Sequence, residues 1–125
     1  MKTILVVDDN EPNRDGLARR LARRGYGIEL AADGMEAMTV AHATMPDLIL
    51  MDLGLPGIDG SEATRLLKAH GATRHIPIIV LTAHATTDHR TVALGSGADD
   101  FDTKPVRFEQ LLQKVESLLG RSVAA

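Results

Sequence analysis

Carboxylates, a hydroxyl and an ammonium recur where the apolar runs of this sequence end. Asp8 and Asp9 follow Thr3-Ile4-Leu5-Val6-Val7, Asp52 follows Leu48-Ile49-Leu50-Met51, Thr82 follows Ile76 to Leu81, and Lys104 follows the stretch from Asp99 to Thr103. Three carboxylates gathered in one place repel by roughly 3 kcal/mol per pair at ~5 Å and an effective dielectric of 20. A hard dication with oxygen ligands relieves that repulsion, and a few-carboxylate site open to water and phosphate suits Mg²⁺. With a hydroxyl and an ammonium beside it, such a site can stabilise a phosphoryl group in transfer. Asp52 is the candidate nucleophile, because it alone follows the central run and aspartate is an established phosphoryl acceptor. Taken singly the residues say less: Asp52 could start a turn or cap a helix, Thr82 could be an ordinary turn hydroxyl, and Lys104 a surface lysine.

The elements that must bring them together follow from the hydrophobic pattern. Leu48 to Met51 is too short for a helix and lacks alternation, which predicts a strand covered on both faces in the middle of a parallel sheet. Gly54, Pro56, Gly57 and Gly60 then stop any continuation, leaving Asp52 at the carboxyl end of the strand, where open α/β sheets bind ligands. Residues 3 to 7 predict a first strand, and Asp8-Asp9-Asn10-Glu11-Pro12 can close it and cap a helix with Leu17, Ala18, Leu21 and Ala22 inward, ending at Gly25. A second strand fits Ile28 to Ala32. Asp33 with Glu36 has capping-box spacing and opens a helix to about Ala43, with Ala37, Val40 and Ala41 inward. Asp59 with Glu62 repeats the spacing before Ala63, Leu66 and Leu67, until Gly71. Ile76 to Leu81 predicts a fourth strand with Pro77 near its start.

A fourth helix near Thr87 to Leu94 is the weakest in the chain, because Thr86, Thr87, Thr91 and Val92 are β-branched and glycines follow at 95 and 97. A small free energy could shift such an element. Asp99 to Thr103 is polar and suits a sheet edge. Phe108, Leu111, Leu112, Val115 and Leu119 then define an amphipathic closing helix up to Gly120. Five strands alternating with five helices on short connections imply right-handed crossovers and an α/β fold with a doubly wound, five-stranded parallel sheet. Residues 1–121 read as one domain and 122–125 as a disordered tail.

Composition narrows the function classes. The chain has 125 residues and no cysteine, which excludes thiol catalysis, zinc–thiolate sites and disulfides, and is compatible with a cytoplasmic location. A net charge of −3, one Tyr, two Phe and no Trp give neither a basic field nor stacking platforms for direct nucleic-acid binding. Arg14, Arg19, Arg20, Arg23 and Arg24 have the spacing of a solvated helix face, with an anionic partner site as the alternative. No apolar stretch approaches the ~20 residues of a membrane span, and Met1-Lys2 leads directly into the first strand without a signal-peptide pattern.

These features together resemble the CheY-like receiver domain of bacterial two-component response regulators. The resemblance runs from residue 3 to about 120 and rests on Val-Val-Asp-Asp-Asn at 6 to 10, Asp-Leu-Ile-Leu-Met-Asp at 47 to 52, Leu-Pro-Gly-Ile-Asp-Gly at 55 to 60, Leu-Thr-Ala at 81 to 83, and Gly-Ala-Asp-Asp-Phe-Asp-Thr-Lys-Pro at 97 to 105. It implies a flavodoxin-like fold with strand order 2-1-3-4-5. It also implies that Asp52 accepts a phosphoryl group from a phosphohistidine on a sensor histidine kinase or a histidine phosphotransfer protein. Asp8, Asp9, Asp52 and the Gly54 backbone carbonyl would hold Mg²⁺, while Thr82 and Lys104 would bind phosphoryl oxygens. Lys104–Pro105 matches a bond that is often cis in the family, and Phe101 stands at its aromatic switch position, with Thr82 as the second switch residue. The face made by the fourth helix, fifth strand and fifth helix would carry the output to a downstream target, an attached output domain or a phosphorylation-dependent dimer. The activity expected is self-phosphorylation and autodephosphorylation rather than turnover of a separate substrate.

Departures and rivals are also legible. Asp102 stands where an apolar residue is expected, and either pairs with Lys104, two residues on, or is solvated at a sheet edge. His84, two residues after Thr82, is either near the phosphoryl site or a solvated loop histidine. His42, His70, His75 and His89 show no ligand spacing. A haloacid dehalogenase-type phosphatase would want a second aspartate two residues after Asp52, where this chain has Gly54. Neither a Walker-type nor a dinucleotide-binding glycine loop occurs. The remaining rivalry is context: a free-standing receiver, slightly favoured by the Met1 start and the stop after the last helix, or the receiver segment of a multidomain regulator or hybrid kinase.

Overall fold

A computed structural model of the chain describes residues 1–83, 91 and 94–120. Its strands are β1 (Thr3–Val7), β2 (Gly27–Ala31), β3 (Leu48–Asp52), β4 (Ile78–Thr82) and β5 (Asp100–Thr103), and they form one parallel sheet in the order β2-β1-β3-β4-β5. Helices α1 (Glu11–Arg23), α2 (Gly34–Thr44) and α3 (Gly60–Ala69) and a C-terminal helix (Phe108–Gly120) cover its two faces. The helix expected near Thr87 to Leu94 falls largely outside the described residues, as do His84, His89 and the tail at 122–125.

The unbroken apolar runs are explained by two cores. Leu5, Val7, Ile49, Met51, Ile78 and Val80 pack with Ala37 and Ala41 of α2 and Ala63 and Leu67 of α3. The alternate residues Ile4, Val6, Leu48, Leu50, Ile79 and Leu81 pack with Leu21 of α1 and with Leu111, Leu112 and Val115 of the C-terminal helix. Successive strand residues point to opposite faces, so a strand between two layers of helices must be apolar at every position. β3 and β4 are buried throughout.

Local signals place the helix starts. Asn10 accepts from the Asn13 N–H at 2.9 Å, Asp33 from Glu36 N–H at 2.8 Å, and Asp59 from Glu62 N–H at 2.9 Å. Glu36 reaches back to the Ala32 N–H at 3.1 Å, closing a reciprocal capping arrangement one residue earlier than the sequence spacing suggests. Three local expectations shift. β2 begins at Gly27, Pro77 precedes β4 rather than lying in it, and Ala22 is exposed because the buried stripe of α1 narrows to Ala18 and Leu21.

The helix starts on either side of β3 depend on missing side chains. A Cβ on Gly60 would lie 2.0 Å from the Asp52 carbonyl oxygen, and one on Gly34 would lie 2.4 Å from that of Ile58. Neither distance is compatible with a side chain, so α3 starts directly against the end of β3 and α2 against the loop that follows it.

Candidate functional site

Parallel pairing brings the strand ends to one edge. Val7 lies opposite Met51, Asp52 opposite Leu81, and Thr82 opposite Thr103. Asp8, Asp52, Thr82 and Lys104, each at or one residue past a strand end, therefore meet there, with Asp9 at the rim. Asp8 and Asp52 are each 7% exposed and Thr82 only 2%, whereas Asp9 is exposed. One carboxylate oxygen from each of Asp8, Asp9 and Asp52 can be chosen so that all lie within 4.8 Å of one another.

Backbone groups fix two of these acids. Asp8 accepts from the Asn10 N–H at 2.9 Å, and Asp52 accepts from the Gly54 N–H at 3.3 Å. Lys104 reaches from the far strand to both, its Nζ 2.9 Å from Asp8 Oδ2 and 3.3 Å from Asp52 Oδ2. Its own backbone N–H donates to the Thr82 carbonyl at 2.8 Å, and the Lys104–Pro105 peptide bond is cis. Arg14 of α1 donates from Nη1 to the Asp8 carbonyl at 3.3 Å.

Burial pushes the Asp52 carboxyl above its ordinary range. Lys104 pulls it back, the Asp8 charge pushes it further up, and the Gly54 N–H favours the ionised form. Burial alone pulls the Lys104 ammonium down. The hydrogen bond to Asp8 and the charges of Asp52 and Asp8 more than offset this, leaving its pKa above that of a free lysine. One ammonium among three carboxylates leaves a site short of positive charge. Its donor set is all oxygen, which is the set a hard divalent cation prefers.

Phe101 lies half-buried on β5 against the core shared by α2 and α3. Lys114 of the C-terminal helix donates to its carbonyl at 2.7 Å, and the ammonium stands 5.6 Å from the ring centroid. Asp102 is neither solvated nor paired with Lys104. It is 4% exposed, accepts from Gln110 Nε2 at 3.0 Å and lies 3.9 Å from Lys114 Nζ, because the C-terminal helix covers this face of β5. The arginines at 19, 20, 23 and 24 are exposed, as a solvated face requires. Arg20 and Arg24 lie over the Phe108 ring at 5.0 and 5.4 Å, and Arg24 pairs with Glu109 at 2.6 Å.

Sequence reasoning missed the steric role of Gly60 and the contact of Arg14 with the Asp8 backbone. A glycine at the first position of a well-capped helix was the available signal for the former, since propensity alone would not choose it. Nothing in the order of residues announces the latter.

Comparison with known proteins points to a single family. The family model of the response regulator receiver domain matches residues 4–116. The response regulator MprA of Mycobacterium avium is 41% identical over 119 residues, which make up 95% of this chain and 51% of MprA. The chain thus spans about half the length of the curated relatives it matches. Among solved structures, the receiver domain of a sensor histidine kinase from Pseudomonas aeruginosa PAO1 is 37% identical with a TM-score of 0.88, covering 95% of this chain and 98% of that one. It carries a magnesium ion coordinated in its active-site cleft. Chemotaxis protein CheY4 of Vibrio cholerae is 29% identical with a TM-score of 0.90, covering 95% and 99%.

Proposed function

The chain belongs to the response regulator receiver domain family, and from that premise we propose that it is the phosphoacceptor of a two-component phosphorelay, with Asp52 taking the phosphoryl group. Proteins of this family are signalling proteins rather than classical enzymes. The observation that carries the reading is Lys104 Nζ held between Asp8 and Asp52 at the carboxyl edge of the sheet. An ammonium kept charged in a half-buried place, beside a carboxylate that burial disfavours, is arranged for an anion that has yet to arrive.

In the proposed reaction an Asp52 carboxylate oxygen attacks the phosphorus of a partner's phosphohistidine. The new O–P bond forms as the P–N bond breaks, and the imidazole nitrogen leaves with the bonding pair and takes a proton from solvent. Lys104 contacts one phosphoryl oxygen and the Thr82 hydroxyl another. The Gly54 N–H holds the Asp52 carboxylate, and the Gly60 start of α3 packs against the Asp52 backbone carbonyl. Asp8, Asp9, Asp52 and the Gly54 carbonyl would hold Mg²⁺, whose chemistry there is to neutralise charge on the phosphoryl oxygens. The support is one carboxylate oxygen from each of Asp8, Asp9 and Asp52 lying within 4.8 Å of the others, with the magnesium-bearing Pseudomonas relative as a parallel.

The phosphoryl group carries more charge than the carboxylate it replaces, so Thr82 and Lys104 are drawn to it and the packing of Phe101 shifts with them. Inverting a 1:99 population takes about 5.5 kcal/mol, within reach of a few charge-assisted hydrogen bonds. The partners of this reading are a sensor histidine kinase or histidine phosphotransfer protein upstream, and a target, attached output domain or second phosphorylated copy on the β5 and C-terminal helix face. A second reading, a receiver segment controlling an attached output, is favoured by the 51% of MprA that the chain spans.

The test is intact-mass measurement after incubation with Mg²⁺ and acetyl phosphate. Gain of one phosphoryl group that is labile to both acid and base, absent in Asp52→Asn, is expected. Full labelling of Asp52→Asn would falsify the assignment.

A further inference from the structure

The last turn of α2 and the end of α3 bring together two histidines that are 28 positions apart in the sequence. The rings of His42 and His70 stand edge to face, with centroids 5.4 Å apart and planes at 76°. Both residues are exposed. His70 Nδ1 lies 2.9 Å from the Leu66 carbonyl oxygen. A carbonyl only accepts, so Nδ1 carries the proton, and in the neutral ring Nε2 keeps the lone pair for another partner. This is the outer hydrogen bond typical of a metal-binding histidine, which fixes the tautomer and orients the ring.

Two further features suit a cation at this point. Two imidazoles on one tetrahedral ion, with metal–nitrogen bonds of about 2.0–2.1 Å, have centroids about 5.2 Å apart, close to the separation observed. The pair also sits where two helices end, His42 in the last turn of α2 and His70 as the C-cap of α3. Two helix C-termini placed side by side make this the negative end of two helix dipoles.

We propose that His42 and His70 form a surface site for a divalent transition metal of the imidazole-binding class, with Zn²⁺ as its representative, bridging α2 and α3. The site is chemically distinct from the aspartate cluster. Imidazole nitrogens select Zn²⁺, Cu²⁺ or Ni²⁺ over Mg²⁺, whereas an all-oxygen carboxylate set is one that suits Mg²⁺. Water would complete the coordination beyond His42 and His70, the two ligands that the described residues supply. The bound ion would pin the C-terminal end of α2 to that of α3, the helix whose first residue abuts Asp52.

The experiment is a calorimetric titration of the whole chain with zinc chloride in excess Mg²⁺, which keeps the aspartate cluster occupied. It is run in parallel with NMR observation of the histidine ring signals. One zinc per chain is expected, with the His42 and His70 ring signals shifting together and that of His75 unmoved. Because losing even an outer partner of a metal ligand costs at least about ten-fold in affinity, His42→Ala and His70→Ala should each weaken binding by about that or more, and His75→Ala should leave it unchanged. His42 is exposed, so its variant folds and reads the site alone. Zinc binding unaltered in His42→Ala, no zinc binding at all, or shifts confined to the aspartates overturns the proposal.

Discussion

Lys104 Nζ lies closer to Asp8 than to Asp52, at 2.9 against 3.3 Å. The lysine is therefore anchored mainly by Asp8, the acid that would help hold Mg²⁺, and leans on Asp52, the proposed nucleophile, only secondarily. It can turn toward a phosphoryl group on Asp52 while keeping Asp8 as a partner. Lys104→Met should leave two nearly buried carboxylates facing each other without their ammonium. A hydrogen bond to a charged group contributes about 1.5–3 kcal/mol, and a loss of that size is expected in urea unfolding without Mg²⁺. Added Mg²⁺ should restore part of it; a variant as stable as the parent in metal-free buffer would show that Lys104 holds neither acid.

The raised pKa of Asp52 gives stability a sign with pH. Its folded value lies above the unfolded one through burial, despite the pull of Lys104, so the folded state binds the proton more tightly. Below the unfolded pKa of 3.8 both states are protonated and the group contributes nothing. As pH rises through the folded pKa the buried charge becomes a cost, which persists at neutral pH. Asp52→Asn should therefore be more stable than the parent at pH 7 in EDTA, with the advantage shrinking toward pH 4 and on adding Mg²⁺. Thermal unfolding across that range measures it, and a constant difference would rule burial of the charge out as the cause.

The two-faced burial of β3 and the meeting of Asp8, Asp52, Thr82 and Lys104 were legible because each rests on a local pattern, whereas the order of strands came from the family resemblance. An uninterrupted apolar run of four or five residues has one good home, between two layers of helices, and a polar residue at its end lands on the edge shared by all parallel strands. The environment of Asp102 was not legible. Apart from Phe101 the run around it is polar and β5 is an edge strand, yet the C-terminal helix lies across it, and only packing places Gln110 and Lys114 over the carboxylate. The His42–His70 pair was hidden for the same reason, since ligand spacing along one element says nothing about two helix ends brought side by side.

Gly60 and Gly54 both read as loop punctuation, yet the structure separates them. A Cβ at Gly60 would meet the Asp52 carbonyl oxygen at 2.0 Å and the Leu53 Cα at 2.8 Å, both backbone atoms that cannot swing aside. A Cβ at Gly54 would meet nothing within 4 Å. Gly60→Ala should displace the start of α3, cost about 3 kcal/mol, the upper end for overpacking, and slow labelling of Asp52 with it. Gly54→Ala should unfold like the parent. Equal stability of the two variants in denaturant would refute the steric account.

Asp102 is a buried acid only half satisfied. Oδ1 accepts from the Thr103 N–H at 2.8 Å and from Gln110 at 3.0 Å, while Oδ2 has no hydrogen-bond partner. An unsatisfied buried polar atom costs about 1–3 kcal/mol. On the other side, Gln110 is exposed and Lys114 half-buried, so both can return to water if the carboxylate is removed, and Lys114 keeps its bond to the Phe101 carbonyl. The neighbouring positions on this face pack against Leu111, Leu112 and Val115, an environment that accepts an aliphatic side chain. Asp102→Leu should therefore raise stability by about 1 kcal/mol, read as a higher urea midpoint with an unchanged slope. Phosphorylation of Asp52 should be unaffected, since Asp102 makes no contact with Lys104. A lower midpoint would mean that the contacts to Gln110 and Lys114 outweigh the orphaned oxygen, making Asp102 a clamp between β5 and the C-terminal helix.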